Sequence, residues 1–103
     1  MIIRNKKDKD YTVMNNYHFR DTNLSLRAKG LLSLMLSLPN DWNFSINGLC
    51  KICNESRTTI SNTLKELRDK SYIVVFEVRD GNGKFNYEYI VYENPNFSDP
   101  GTH

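Results

Sequence analysis

Residues 45–67 read SINGLCKICNESRTTISNTLKEL, and this stretch predicts two short helices joined by a tight turn. Ser45 is a candidate N-cap for the first helix. The apolar side chains of that helix recur at steps of three and four residues, at Ile46, Leu49, Cys50 and Cys53. Asn54 stands where the chain must turn, and asparagine tolerates the left-handed backbone better than most residues do.

The second helix of the stretch is predicted to begin after Ser56, a second N-cap candidate. Its apolar stripe consists of Ile60, Leu64 and Leu67, and the residues off that stripe are small, polar or basic. A helix with a buried seam and such an outer face is typical of a helix-turn-helix recognition helix. An amphipathic helix pair with no role in DNA binding has the same pattern, so the stretch alone leaves both interpretations open.

The residues that follow predict a β-hairpin. YIVVFEVR, at residues 72–79, is rich in β-branched and aromatic residues, and FNYEYIVYE, at residues 85–93, is the predicted returning strand. Between them, Asp80-Gly81-Asn82-Gly83 contains Asp-Gly and Asn-Gly in succession, which is a strong turn signal.

Ahead of the stretch, residues 22–39 predict a long helix, with Ser25 or Asn23 as its cap and Pro39 limiting its end. The helix is apolar over much of its circumference, because Leu26, Leu34 and Leu36 widen the main stripe. It is therefore either central to the core or shared with a partner. Gly30 inside it costs about 1 kcal/mol relative to alanine, which predicts the close approach of another backbone there.

The fold class that these elements predict is α+β: a winged helix-turn-helix domain of three helices with a C-terminal β-hairpin wing. Residues 42–44 are expected to form a very short strand, and residues 11–19 to start with a short strand or extended segment in which His18 is structural. The predicted organisation is a flexible arm at residues 1–10, the domain at residues 11–94, and a disordered tail at residues 95–103.

Composition bounds the function. The chain has 103 residues and a net charge of only +2, so affinity for nucleic acid must come from local placement of charge, from a dimer or from a longer parent chain. No apolar run approaches the roughly 20 residues that span a bilayer, and the start lacks a signal-peptide core, which predicts a cytoplasmic location. No carboxylate pair, nucleophile with a base, or phosphate loop indicates an enzyme.

Cys50 and Cys53 form a CxxC with three interpretations. A zinc site usually needs four Cys or His ligands, and besides the two cysteines the chain offers only His18 and His103. A redox motif is expected beside a strand-helix unit, whereas this CxxC lies in the middle of a predicted helix. We favour the third interpretation, in which both are apolar fillers on the inner face of the first motif helix. Neither a metal nor a cofactor is predicted.

Residues 24–73 as a whole resemble the amino-terminal helix-turn-helix domains of phage replisome organisers and DnaD-like replication-initiation proteins. The matching residues are LSLRAKGLLSLMLSLP, the Asp-Trp and Phe that follow it, the Ser, Thr-Ile and Leu-Lys-Glu-Leu within residues 56–67, and the Tyr-Ile that opens the hairpin. The resemblance extends over about residues 12–92. Ser71 departs from it, since glycine usually closes this helix, and Gly48 departs where a better helix former is usual.

The resemblance implies that the protein recognises bases in a DNA groove, with the second motif helix in the major groove and the wing near the DNA backbone. The Arg57 side chain suits guanine and that of Asn62 suits adenine. The short hydroxyl residues Ser56, Thr58, Thr59 and Ser61 permit close approach to the DNA. The cations Lys65, Arg79 and Lys84 suit contacts with phosphates. The candidate DNA-binding residues are Ser56, Arg57, Thr58, Thr59, Ser61, Asn62, Lys65, Arg79 and Lys84.

The expected partners are duplex DNA and a homodimer or replication-protein partner, with no membrane and no small-molecule substrate. Because the charges nearly balance, binding by one copy is expected to be on the order of micromolar or weaker. The alternatives are a transcriptional regulator and a protein-interaction module. The broad apolar arc and the aromatic hairpin, with Phe85, Tyr87, Tyr89 and Tyr92, favour the latter.

Overall fold

The computed structural model describes residues 1–4, 10–39 and 45–96. Within them the chain forms four helices followed by two strands. These are α1 (Tyr17–Arg20), α2 (Leu26–Ser37), α3 (Ile46–Cys53), α4 (Arg57–Asp69), β1 (Ile73–Arg79) and β2 (Phe85–Val91). The fold is therefore α+β, a helix-turn-helix domain with a β-hairpin wing, and the predicted fold class is confirmed.

Serine caps begin the three longer helices. The hydroxyl of Ser25 accepts a hydrogen bond from the Ala28 amide, that of Ser45 from the Gly48 amide, and that of Ser56 from the Thr59 amide. Each cap satisfies a backbone donor that the first helical turn leaves without a partner. All three predicted caps are confirmed, and Ser25 rather than Asn23 caps α2.

The turn between α3 and α4 depends on Asn54, as predicted. Its backbone is left-handed, at φ 54° and ψ 47°, and its amide bonds to carbonyls of the last turn of α3. Asparagine reaches this conformation at lower cost than most residues. A second left-handed residue, Ser71 at φ 68°, lies just after α4 and turns the chain into β1.

The hairpin is antiparallel and in a single register from Ile73 opposite Val91 to Arg79 opposite Phe85. At its tip, the Asp80 carboxylate accepts hydrogen bonds from the backbone amides of Asn82 and Lys84, at 2.8 and 2.9 Å. At its base, the Tyr92 amide donates to the Tyr72 carbonyl at 2.8 Å. The hairpin is thus closed at both ends, with its base against the helices.

The core lies between α2, α3, α4 and the base of the hairpin. Leu32 of α2, Leu49 of α3 and Leu67 of α4 have no exposed surface, and each such burial contributes about 1.5–3 kcal/mol. The remaining buried apolar residues are Leu24, Ala28, Leu31, Met35, Ile60, Leu64, Tyr72 and Ile73. The stripe predicted for α4 faces this core, which fixes the direction of its opposite face.

Of the short strand or extended segment expected at the start of residues 11–19, the strand does not form: residues 11–15 have no regular secondary structure, and Tyr17–Arg20 is a helical turn that the sequence did not predict. The turn begins where the Asn15 side chain accepts from the Tyr17 amide at 2.7 Å. It buries His18 completely, with Nε2 2.8 Å from the Ser33 hydroxyl of α2. This tertiary contact makes α1 a fourth helix and confirms that His18 is structural.

Protonation of His18 is disfavoured. The Ser33 hydroxyl donates to the Lys29 carbonyl at 2.7 Å, so it accepts from Nε2–H of His18. Nδ1 is then the unprotonated nitrogen, and it is buried with no partner among the described residues. Burial lowers the pKa of His18, against an opposing effect from Glu93 and with a smaller lowering by Lys29.

Among the described residues, no other backbone approaches Gly30: apart from its chain neighbours and the backbone of its own helix, no atom lies within 4 Å of the position where a Cβ would be. The broad apolar arc divides. Leu34 and Leu36 pack against the core, whereas Leu26 is 85% exposed. The expected strand at residues 42–44 lies outside the described residues.

Candidate nucleic-acid interface

α4 presents a polar face directly opposite the core. Ile60, Thr63, Leu64 and Leu67 are buried on one side of the helix. The residues half a turn away are all exposed, and together they form what we call the outer face: Thr58, Asn62, Lys65 and Asp69. No hydrogen bond in the described part of the chain engages the side chain of Thr58 or Asn62, so both are available to a ligand.

The two hydroxyls at the start of α4 are bonded to each other. Ser56 accepts from the Thr59 amide at 3.1 Å and its hydroxyl lies 3.0 Å from that of Thr59. Thr59 is half-buried on the side of α4 that faces α2 rather than on the outer face. The structure therefore gives Ser56 and Thr59 a capping role and separates Thr59 from Thr58 and Asn62.

Arg57 lies on the flank of α4 that faces α3, where its guanidinium donates to the Asn47 side-chain oxygen. Both residues are exposed, and the contact fixes the direction of a side chain that would otherwise be free. Ser61, half-buried, follows one turn later on the same flank. Nothing in the sequence singled out Asn47, because only the crossing of α3 and α4 brings it to Arg57.

Lys65 is paired along the outer face. Its ammonium lies 3.9 Å from the Asp69 carboxylate, and both side chains are well exposed. A solvent-exposed pair of this kind contributes about 0–1 kcal/mol, so a phosphate could displace Asp69 at little cost. The Asp69 carboxylate lowers the positive potential of the outer face, an effect that the net charge of the segment does not show.

The two wing cations lie at the hairpin tip, Arg79 at the end of β1 and Lys84 just before β2. The Arg79 guanidinium stacks over the Phe85 ring at 4.5 Å from its centroid, which restrains it by a cation–π contact. Lys84 is exposed beside the tip turn. The predicted set thus divides into an outer face, an Arg57 flank, a capping pair and a wing tip.

The CxxC is part of the packing. Cys50 and Cys53 are free, half-buried and packed against the core. Burial raises the pKa of the Cys53 thiol, with a smaller contribution from Glu55, so the thiol rather than the thiolate is favoured. The described residues contain no group of three or more side chains that could hold a metal ion. These contacts support the interpretation of both cysteines as apolar fillers.

The three-helix core, the left-handed turn before α4 and the hairpin after it define a winged helix-turn-helix protein. A family of helix-turn-helix domains matches residues 22–73, from just before α2 to the first residue of β1. The match spans half of the chain, and the chain belongs to this family. No curated protein and no solved structure matches the chain. Across the described residues, no helix has the length and apolar character needed to cross a membrane.

Proposed function

We propose that this chain binds duplex DNA, with the outer face of α4 in the major groove. The observation that supports this is the availability of Thr58 and Asn62, both exposed and without a hydrogen bond among the described residues. They lie on a helix whose other side is held in the core. A recognition helix needs this combination, because base edges must be met by unpaired polar groups on a rigid support.

Each polar group has a distinct proposed role. Asn62 can bond to both N6 and N7 of adenine, and Thr58 is short enough to let the helix approach the groove floor. Arg57 is placed by Asn47 at the edge of the helix, where it suits guanine or a phosphate. Lys65, Arg79 and Lys84 supply sequence-independent phosphate contacts. Ser56, Thr59 and Ser61 act through the position of α4 and through its amino-terminal amides.

The base-reading role is tested by selecting bound sites from a random duplex pool, then repeating the selection with Asn62→Ala. We expect the variant to lose preference at one base pair and keep the rest of the site, because one bidentate contact discriminates by about 1–3 kcal/mol. Lys84→Ala is the matched control and should weaken binding to all sites equally. An unchanged site with Asn62→Ala contradicts the assignment.

We further propose that the DNA-binding activity serves replication initiation, as in replisome-organiser or DnaD-like proteins. The support is the resemblance of residues 24–73. A transcriptional regulator is the alternative within the same fold. The selected site is placed once on a plasmid without its own origin and once upstream of a reporter gene. Plasmid maintenance supports the replication role, and a change in reporter expression alone supports a regulator.

A protein-interaction module is the second candidate function. Leu26, Phe85 and Tyr87 are exposed, at 85%, 54% and 67%, and exposed apolar groups of this size are common at interfaces. A folded chain that binds no duplex DNA even at low salt would favour this candidate over groove reading.

We propose residues 11–94 as the folded unit, flanked by an arm and a tail. Contacts between its two ends support these bounds. The Asn15 amide donates to the Glu93 carboxylate at 3.3 Å. The Asn96 side chain donates to the Tyr17 hydroxyl at 2.9 Å, which extends the contact between the ends two residues beyond the proposed carboxyl-terminal bound. Limited proteolysis with mass spectrometry should cleave first outside residues 11–96. Early cleavage between residues 11 and 20 would contradict the amino-terminal bound.

A further inference from the structure

A groove runs between α2 and the first half of α4, on a different side of α4 from the outer face. Its volume is about 180 Å³, and its walls include Gly30, Leu31, Thr59, Ile60 and Thr63. The Thr63 hydroxyl donates to the Thr59 carbonyl at 2.6 Å, so the threonine contributes chiefly its methyl group to the groove. This part of the groove is therefore largely apolar.

Gly30 is the unexplained member of this groove. A glycine in a helix interior costs about 1 kcal/mol relative to alanine, yet no atom lies within 4 Å of its missing Cβ. Nothing in the described part of the chain packs closely enough to need a glycine. A close approach at this position would have to come from outside the described residues, and a second copy of the chain is one source.

The same face of α2 bears an apolar side chain that could fill such a groove. Leu26 lies one helical turn before Gly30 and is 85% exposed. A leucine side chain fits within about 180 Å³ of open space. Leu26 and the groove at Gly30 are thus a projection and a cavity on adjoining surface.

The groove also has two charged residues of opposite sign. Arg27 of α2 and Glu55 of the turn before α4 line it, and both are exposed. Neither forms an ion pair with any residue that the structure describes. A surface with a projection, a cavity, a cation and an anion is complementary to itself when two copies meet about a two-fold axis.

We propose that this groove binds a second copy of the chain. Leu26 of each copy enters the groove of the other, α2 crosses its counterpart near Gly30, and Arg27 of each copy pairs with Glu55 of the second. The dimer leaves the outer face of α4 free. It does not rest on DNA binding, and its test contains no DNA, so either proposal can fail alone.

The decisive experiment is sedimentation velocity over a protein concentration series with charge-reversed variants. Arg27→Glu and Glu55→Arg should each weaken the dimer about tenfold, because each places like charges across the interface. The double variant should restore the wild-type dissociation constant. A wild type that stays monomeric at every concentration overturns the proposal, as does a dimer that neither reversal weakens.

Two further variants test the projection and the cavity. Leu26→Ala should weaken the dimer about tenfold by removing a buried leucine, while Ile52→Ala is the matched control. Ile52 is 49% exposed on α3 and outside the groove. Gly30→Ala should raise the thermal midpoint of the monomer yet weaken the dimer. Equal effects of Leu26→Ala and Ile52→Ala would overturn the assignment of Leu26.

Cys53 provides a local readout, because it also lines the groove. In a Cys50→Ser background, alkylation of Cys53 should slow as protein concentration rises and the second copy covers the thiol. With Arg27→Glu added, the rate should become independent of concentration over the same range. Alkylation that stays equally fast while the protein dimerises would place the interface elsewhere and overturn the proposal.

Discussion

Ser71 occupies a backbone conformation that suits glycine. It ends α4 at φ 68°, with its amide bonded to the Arg68 carbonyl at 3.0 Å and the Tyr72 amide bonded to the Leu67 carbonyl at 2.9 Å. The left-handed region costs a residue with a Cβ about 1–2 kcal/mol. This is the physical reason that glycine is usual at this position in the domains that the chain resembles, and Ser71 departs from that pattern at an energetic cost.

Replacing Ser71 by glycine should therefore stabilise the domain. We expect Ser71→Gly to raise the free energy of unfolding by about 1 kcal/mol, since relief of the strain exceeds the added entropy of the unfolded chain. Urea denaturation measures this. Ser71→Ala is the control and should give no gain, because alanine keeps the Cβ. A loss of stability in Ser71→Gly would contradict the assigned backbone.

His18 makes stability depend on pH. Its pKa is lowered in the folded state from an ordinary value of 6.5, mainly by burial. The unfolded chain therefore binds the proton more readily. The stability that depends on neutral His18 is fully present at a pH above the pKa of the unfolded chain. It is lost progressively as the pH falls from about 6.5 toward the lower pKa of the folded state. Nδ1 is buried without a partner among the described residues, so the proton brings a charge and an unpaired donor.

Urea denaturation between about pH 5 and 7.5 should show this loss of stability toward acid in the wild type. His18→Gln should flatten the dependence, because glutamine retains a donor for Ser33 and does not titrate in that range. Asp21 affects stability in a separate and lower pH range. Its pKa is lowered below 3.8, chiefly by the hydrogen bond from Tyr72, so its contribution is lost only at still lower pH. An unchanged slope in His18→Gln would contradict the account.

A buried side chain at the base of the hairpin is hydrogen-bonded to the residue that ends α1. Tyr72 is fully buried and its hydroxyl donates to the Asp21 carboxylate at 2.7 Å. Burial and the neighbouring carboxylate raise the pKa of Tyr72. The hydrogen bond between Tyr72 and Asp21 joins the end of α1 to the segment between α4 and β1.

Tyr72→Phe should lower the free energy of unfolding by about 1–3 kcal/mol, the usual cost of losing a hydrogen bond to a charged partner. Chemical denaturation measures it. Asp21→Asn keeps an acceptor for the hydroxyl and should cost less. If the two variants were equally damaging, the hydrogen bond would not be the source of the loss.

Local sequence signals predicted the longer elements well. Serine caps, the asparagine at the turn and the Asp-Gly-Asn-Gly tip act on backbone close to themselves, so α2, α3, α4 and the hairpin followed from them. The α1 turn could not be predicted, because it depends on the contact of His18 with Ser33 across fifteen residues. Its own composition favours an extended chain.

The candidate site was less predictable than the fold. Helical spacing placed Thr58, Asn62 and Lys65 together, since residues three and four apart share a face. The same spacing accounts for the pair of Lys65 with Asp69. It could not place Arg57 beside Asn47 or turn Thr59 toward α2. Those arrangements depend on helix crossing and on side-chain contacts. They distinguish the proposed base-reading residues from the capping ones.

The charge of the whole molecule limits how tightly one copy can hold DNA. The net charge is +2, and four cations belong to the proposed interface: Arg57, Lys65, Arg79 and Lys84. Each neutralised phosphate contributes a slope of about −0.9 to the dependence of log affinity on log salt. One copy should therefore give a slope no steeper than about −4, measured by titration over a salt series. A much steeper slope would require contacts from the arm.

The most direct test of the account is fluorescence anisotropy of a labelled duplex with two matched double variants. Arg57→Ala, Asn62→Ala alters the recognition helix, whereas Arg20→Ala, Asn23→Ala removes the same residue types from an exposed region outside α4. We predict salt-sensitive duplex binding that the first variant loses and the second retains. Equal binding by both variants, or none by the folded wild type at low salt, would contradict the assignment of α4 as the DNA-binding surface.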